Sequence, residues 1–434
     1  MKLNTARTWT RAALVSVAGA SALAVTACGG GGGGGGAASS GDMSLLVNVE
    51  NTEIPAVLDT LAGGACSAEN GALPLKVETV PQSNLDQQLQ LKAGQGDLPV
   101  LFSAGNAPAL TQTLAESGNV ADFDKLLTDL DVIDNIEPAA ISTIENLYGG
   151  FRVLPFEYNV EGIWYNKQIF ADNGIEEPQT WEDLVAAAET LNAAGVQPFS
   201  ASGEQGWPLT RLISSYLFRD LGPDALQKVA DGEASLTDPE YVAAAQAVAD
   251  LGAAGYFGQG VGSIDMATSE NQFLNGSAAM FYTGSWYLTQ LNDPEQNQIG
   301  AENVGFMPFP AVEGGAGDRS QLAANVGLPV TMNANAVNDD TEAWLTCIVE
   351  NYGSTALSQE NRVSGFALNE EVSDVPELTQ LVQEKVAETE TTVLWFEALF
   401  SAEATTTSQR NAAPLVTGSI SAEEFMSMVQ ADLG

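Results

Sequence analysis

The sequence has no histidine, and only 15 lysines and arginines stand against 56 aspartates and glutamates. Without histidine the chain lacks the commonest general base and the commonest transition-metal ligand. A Ser-His-Asp or Cys-His enzyme is therefore excluded, and no metal or other cofactor is expected. A formal net charge of −41 argues against nucleic acid, and against electrostatic docking on an anionic membrane. There are just three cysteines, Cys28, Cys66 and Cys347. Aromatics make up 7% of the chain and hydrophobic residues 45%, which is normal for a globular protein. At 434 residues the chain exceeds one typical core, and two lobes are expected.

The N-terminus reads as a leader. Lys2, Arg7 and Arg11 precede an apolar run from Ala12 to Val25, which closes on Val25-Thr26-Ala27-Cys28. A basic start, a short apolar core and small residues before the cut make a secretory signal. The run is too short to span a bilayer comfortably. The last four residues resemble a bacterial lipobox, which implies lipidation of Cys28 and an extracellular location held to the membrane by that lipid alone. Gly29 to Gly36 and the small residues after them form a flexible tether with a reach of roughly 20 Å. An oxidising exterior permits a disulfide between Cys66 and Cys347. Two buried free thiols fit the sequence equally well, because sequence does not supply bond geometry.

Strands and helices alternate through the remainder. Strand-like runs cover 44–49, 75–80, 98–102, 196–200 and 278–282. Thr180 with Asp183, and Ser421 with Glu424, are capping boxes that open helices. The pattern predicts α/β lobes with largely parallel sheets. One stretch stands out, Leu154-Pro-Phe-Glu-Tyr-Asn-Val-Glu-Gly-Ile-Trp-Tyr-Asn-Lys167. It is apolar enough to be a buried strand, yet Glu157, Asn159 and Glu161 recur at every second position and so share a face. That face is either merely wet or lines a cleft.

Residues 154–167, 178–183, 202–208 and 271–286, with the leader, resemble an extracellular solute-binding protein of an ABC transporter. More narrowly, the chain is similar to the carbohydrate-binding group typified by maltose-binding protein. The motifs are Trp164-Tyr-Asn-Lys167, then Pro178-x-Thr-Trp181-x-Asp-Leu184, then Phe273-x-x-Gly276-x-Ala278-Ala-Met280 leading to Gly284-Ser-Trp286. The resemblance implies two α/β lobes joined by a three-segment hinge, with the ligand cleft between them. Expected limits are a signal peptide at 1–27 and a tether at 28–42. The first lobe would hold 43–156 and 306–372, the second 157–305 and 373–434. It implies that Trp286 stacks on a sugar ring, that Glu204 and Trp207 contact ligand from a polar loop, and that Trp395 or Phe396 adds a third aromatic. Asn51, Glu53 and Asn106 would hydrogen-bond hydroxyls from the other lobe, and Glu161 from the central strand. It also implies capture by lobe closure, delivery to permease subunits of an ABC importer, and a monomeric receptor with no enzymatic activity.

These residue types suit sugar. A pyranose presents apolar C–H faces, which flat indoles cover at low conformational cost, and a hydroxyl rim, which amides and carboxylates answer. Two rivals remain open. The same scaffold accommodates a polyamine or another small solute in an acidic aromatic cleft, and a secreted glycosidase would need a pair of carboxylates across it.

Overall fold

The computed structural model describes residues 41–49, 51–104, 108–389 and 391–433. The leader, Cys28 and all but the last two residues of the expected tether lie outside them, as does Asn106. Among the described residues no helix is long and apolar enough to cross a membrane.

Among the described residues ten strands fall into two sheets: β1 Met43–Asn48, β2 Leu75–Val80, β3 Leu101–Ser103, β4 Asn159–Asn166, β5 Gln197–Ser200, β6 Ala278–Gly284, β7 Val304–Met307, β8 Leu322–Asn325, β9 Val330–Met332 and β10 Thr392–Val393. The first sheet has the order β2-β1-β3-β9, with β1 parallel to β2 and β3 and with β9 antiparallel to β3. The second runs β10-β8-β4-β6-β5, with β7 also paired to β4. Helices pack on both, so strands such as β6 are buried at every residue and read as an unbroken apolar run.

The expectation of largely parallel sheets fails in the second one. There β4 runs antiparallel to β6, β7 and β8, and only the β5–β6 and β10–β8 pairs are parallel. Alternation of elements along a chain predicts layering, but it leaves strand direction open once a strand arrives from a distant part of the sequence. The lobe boundary near 306 also differs. Both β7 and β8 pair with β4, so the chain returns to the first sheet only between Asn325 and Val330. That crossing lies beside the earlier one, since Asn325 pairs with Asn159 and Leu154 bridges Val330. A third link follows the helix Asp339–Glu360, which packs on the helix Glu53–Gly63. It leads to the helix Glu377–Glu388, which packs against β4. Cys66 and Cys347 form a disulfide with a Cα–Cα distance of 5.8 Å across 281 residues.

The shared motifs turn out to be structural. Trp164 is fully buried and its indole N–H donates to the Thr283 carbonyl at 3.2 Å. Asn166 caps the helix Lys167–Asp172, and Thr180 with Asp183 forms a complete capping box on Trp181–Ala193. Phe273, Ala278 and Met280 are core. Gly206 has φ +75 and sits so close to the Gln409 carbonyl that a Cβ there would collide with it. This contact fixes the entry of the helix Trp207–Leu221 and thereby the position of Trp207.

Candidate ligand cleft

Three indoles meet on the second sheet's side of the molecule, each half-buried. Trp207 opens its helix immediately after Gly206. Trp286 follows β6 through Gly284-Ser285, where a Cβ on Gly284 would strike the Trp286 ring. Trp395 comes just after β10. The Trp207 and Trp286 rings are 5.9 Å apart, edge to face. The Arg211 guanidinium lies 5.5 Å from the Trp207 ring centre and 5.0 Å from that of Trp395. Arg211 stands four residues after Trp207, one turn along the same helix face.

One carboxylate pairs with Arg211 and a second acts on it electrostatically. Its Nε is 3.3 Å from Glu161 Oε2, and the Glu161 side chain is fully buried. The other oxygen of Glu161 accepts from Asn325 Nδ2 at 3.1 Å. Glu397 is buried beside the same cation and accepts from Thr210 Oγ1 at 2.5 Å and Ser408 Oγ at 3.0 Å. Burial pushes the Glu397 carboxyl above its usual value, while Arg211 pulls the other way. Arg211 Nε and Nη1, Glu161 Oε2 and Glu397 Oε2 are all buried without a hydrogen-bond partner, so the Arg211–Glu161 contact is an ion pair and not a hydrogen bond.

A second cluster adjoins the first through Trp286. A narrow cavity between the crossings is lined by Glu157, Asn159, Ser285, Trp286 and Arg362, among others. Arg362 reaches Glu53 at 3.2 Å and Glu157 at 3.6 Å. Ser285 Oγ donates to Asn159 Oδ1 at 3.2 Å. The polar row of the central stretch is thus buried, with Glu157 beside one arginine, Glu161 beside another and Asn159 between them.

Glu53, Glu161, Trp207, Trp286 and Trp395 therefore gather around two arginines. Two other expected contacts, Asn51 and Glu204, do not. Asn51 is 1% exposed; its side-chain oxygen accepts from the Ile54 N–H at 3.3 Å, while its Nδ2 is buried without a hydrogen-bond partner. Glu204 is exposed, and its side chain makes no hydrogen bond or ion pair among the described residues. Asn106 lies outside them. Phe396, the alternative to Trp395, is fully buried against Phe400 and Phe425. Sequence reasoning missed Arg211, Arg362 and Glu397. The i, i+4 spacing from Trp207 was an available signal for the first; the other two carry no local pattern.

Burial raises the carboxyl pKa of Glu137, Glu157, Glu270 and Glu397. Each binds a proton more tightly folded than unfolded, so stability falls as pH climbs from about 4.3 through the folded value. In the opposite sense, hydrogen bonds from Thr180 and Thr268 hold Asp183 and Asp265 below the usual aspartate range, a contribution lost only in stronger acid. The melting temperature is expected to be higher at pH 5 than at pH 8, with a flatter profile in Glu397→Gln. A melting temperature that rises steadily from pH 5 to pH 8 would contradict this.

Two sheets linked by three crossings, with indoles and carboxylates gathered where the crossings meet, define a two-lobed solute receptor. The chain belongs to the bacterial extracellular solute-binding protein family, whose model matches residues 52–351. That family comprises receptors and not enzymes. An uncharacterised ABC transporter extracellular-binding protein of Pyrococcus horikoshii is 23% identical over 228 residues, 50% of this chain and 51% of its own. The sn-glycerol-3-phosphate-binding periplasmic protein of Yersinia pestis is 28% identical over 233 residues, 48% and 50% of the two chains. This chain thus spans about half the length of the curated relatives it matches. Among solved structures, a chitin oligosaccharide binding protein superposes with a TM-score of 0.73 at 26% identity, covering 90% of this chain and 97% of the other.

Proposed function

We propose that this protein captures a neutral sugar or oligosaccharide by lobe closure and delivers it to the permease subunits of an ABC importer. It acts as a monomer on the extracellular face of the membrane, lipid-anchored at Cys28. The observation that carries the reading is the trio Trp207, Trp286 and Trp395, each half-buried, beside a floor of carboxylates and amides. Ligand that touches both lobes favours the closed arrangement by its extra contacts there.

The Yersinia relative binds an anion, sn-glycerol-3-phosphate. Here both cleft arginines already face carboxylates, Arg211 with Glu161 and Glu397, Arg362 with Glu53 and Glu157. A phosphate would have to displace one of them against an acidic surround. The same excess of carboxylates supports a second reading, a polyamine held between the indoles.

A thermal-shift and calorimetric panel separates the three, because binding to the native state raises the midpoint. Chito-, xylo-, malto- and fructo-oligosaccharides are tested against spermidine and sn-glycerol 3-phosphate. At least one oligosaccharide is expected to bind, and spermidine as sole ligand would replace the sugar reading. Trp286→Ala should weaken sugar affinity about 10- to 100-fold, from lost ring contact, with a modest change in the free protein's melting temperature. An unchanged affinity would remove Trp286 from the site.

A further inference from the structure

A second cavity, of about 220 Å3, lies where the third link passes between the helices Asp339–Glu360 and Glu377–Glu388. It opens to solvent past Leu368 and Ala387. Its walls are mainly apolar, formed by Leu357, Val363, Phe366 and Val386, with Leu368 at 46% exposed. Such a large exposed aliphatic side chain is uncommon here, where Val49, Val77 and Leu91 are the other examples among the described residues.

One wall carries Glu137, which sits at the start of the helix Pro138–Tyr148. Its backbone N–H donates to the Gly365 carbonyl at 2.8 Å, which fixes it against the third link. The carboxylate is half-buried, does not cap its own helix, and has no hydrogen bond or ion pair among the described residues. Arg362 also lines the cavity, but its charge is taken up by Glu53 and Glu157. The space therefore combines an apolar body with one carboxylate that lacks a cation. Burial raises the pKa of that carboxyl.

We infer that this cavity is a second binding site, separate from the sugar cleft, for a compact hydrophobic amine whose apolar part fills the space lined by Leu357, Phe366 and Val386 and whose ammonium pairs with Glu137. A ring with a two-carbon amine arm is of suitable size and polarity. The strongly acidic chain raises the local concentration of any cation at its surface. A simple sugar would leave most of its hydroxyl rim unpaired against these walls.

The test is isothermal titration of the mature protein with phenethylamine and with 2-phenylethanol, a neutral molecule of nearly the same shape. Phenethylamine is expected to bind at least tenfold more tightly than the alcohol. Glu137→Gln should erase that difference while keeping the alcohol's affinity. Ala387→Phe, on an exposed helix face beside the cavity, should weaken both at least tenfold by filling it. Trp286→Ala should leave phenethylamine unaffected. Absence of binding to the wild type, phenethylamine affinity in Glu137→Gln unchanged from the wild type, or loss in Trp286→Ala would each overturn the assignment, the last by placing the amine in the indole cleft.

Discussion

Arg211→Leu is expected to lower the folding free energy by about 3–5 kcal/mol and to weaken ligand binding. Breaking a buried ion pair from one side costs that much because it strands the remaining charge. In this site Glu161 loses its ion-pair partner and the buried Glu397 loses the same nearby positive charge. The variant has a remedy in protonation, so its stability should recover as pH falls, more steeply than in the wild type. Adding Glu161→Gln and Glu397→Gln should restore much of the loss at neutral pH. Trp207 and Trp395 both pack on the cation, so sugar affinity should stay low in that triple variant even when it is stable. Urea denaturation at pH 5 and pH 8 measures the first effect and calorimetry the second. A loss below about 1 kcal/mol would mean that Arg211 is not the cation that compensates this pair.

The second large effect concerns the disulfide. Cys66→Ser with Cys347→Ser should cost about 3–5 kcal/mol, because the bond closes a loop of 281 residues and so restricts the unfolded chain strongly. Both cysteines are buried, and they tie the chain after the helix Glu53–Gly63 to the helix Asp339–Glu360, which packs on it. The loss should therefore fall on the first lobe. Its signature is a drop in the melting temperature with sugar affinity nearly preserved at low temperature, because neither cysteine lines the cleft. Equal melting temperatures for oxidised and reduced protein would show that the bond adds nothing.

Much of the local architecture was legible in the sequence. β2 falls on the expected residues, and the capping boxes at Thr180 and Ser421 form as read. Side-chain capping acts over three residues, so a one-dimensional pattern contains it. The aromatic turns were legible for a similar reason: Gly206 and Gly284 permit close approaches that aim the following tryptophans. What escaped was everything decided by distant partners. The polar row Glu157, Asn159 and Glu161 read as either wet or cleft-lining, yet its partners Arg211, Asn325 and Arg362 come from separate parts of the chain. Asn51 looked like a cleft residue but serves its own helix, because a backbone N–H three residues away competes for it locally. The antiparallel course of β4 and the late return at Val330 were hidden for the same reason, since strand pairing has no local mark.

The sheet order also bears on biosynthesis. β9 is needed to complete the first sheet, and β8 with β10 to complete the second. Neither half can be cut out as one stretch of contiguous sequence, and a nascent chain that stops short of Val330 has no finished sheet at all. Contacts so far apart form late and slowly. Such a polypeptide stays threadable while it is being made, which suits passage through a narrow export channel before it acquires its shape.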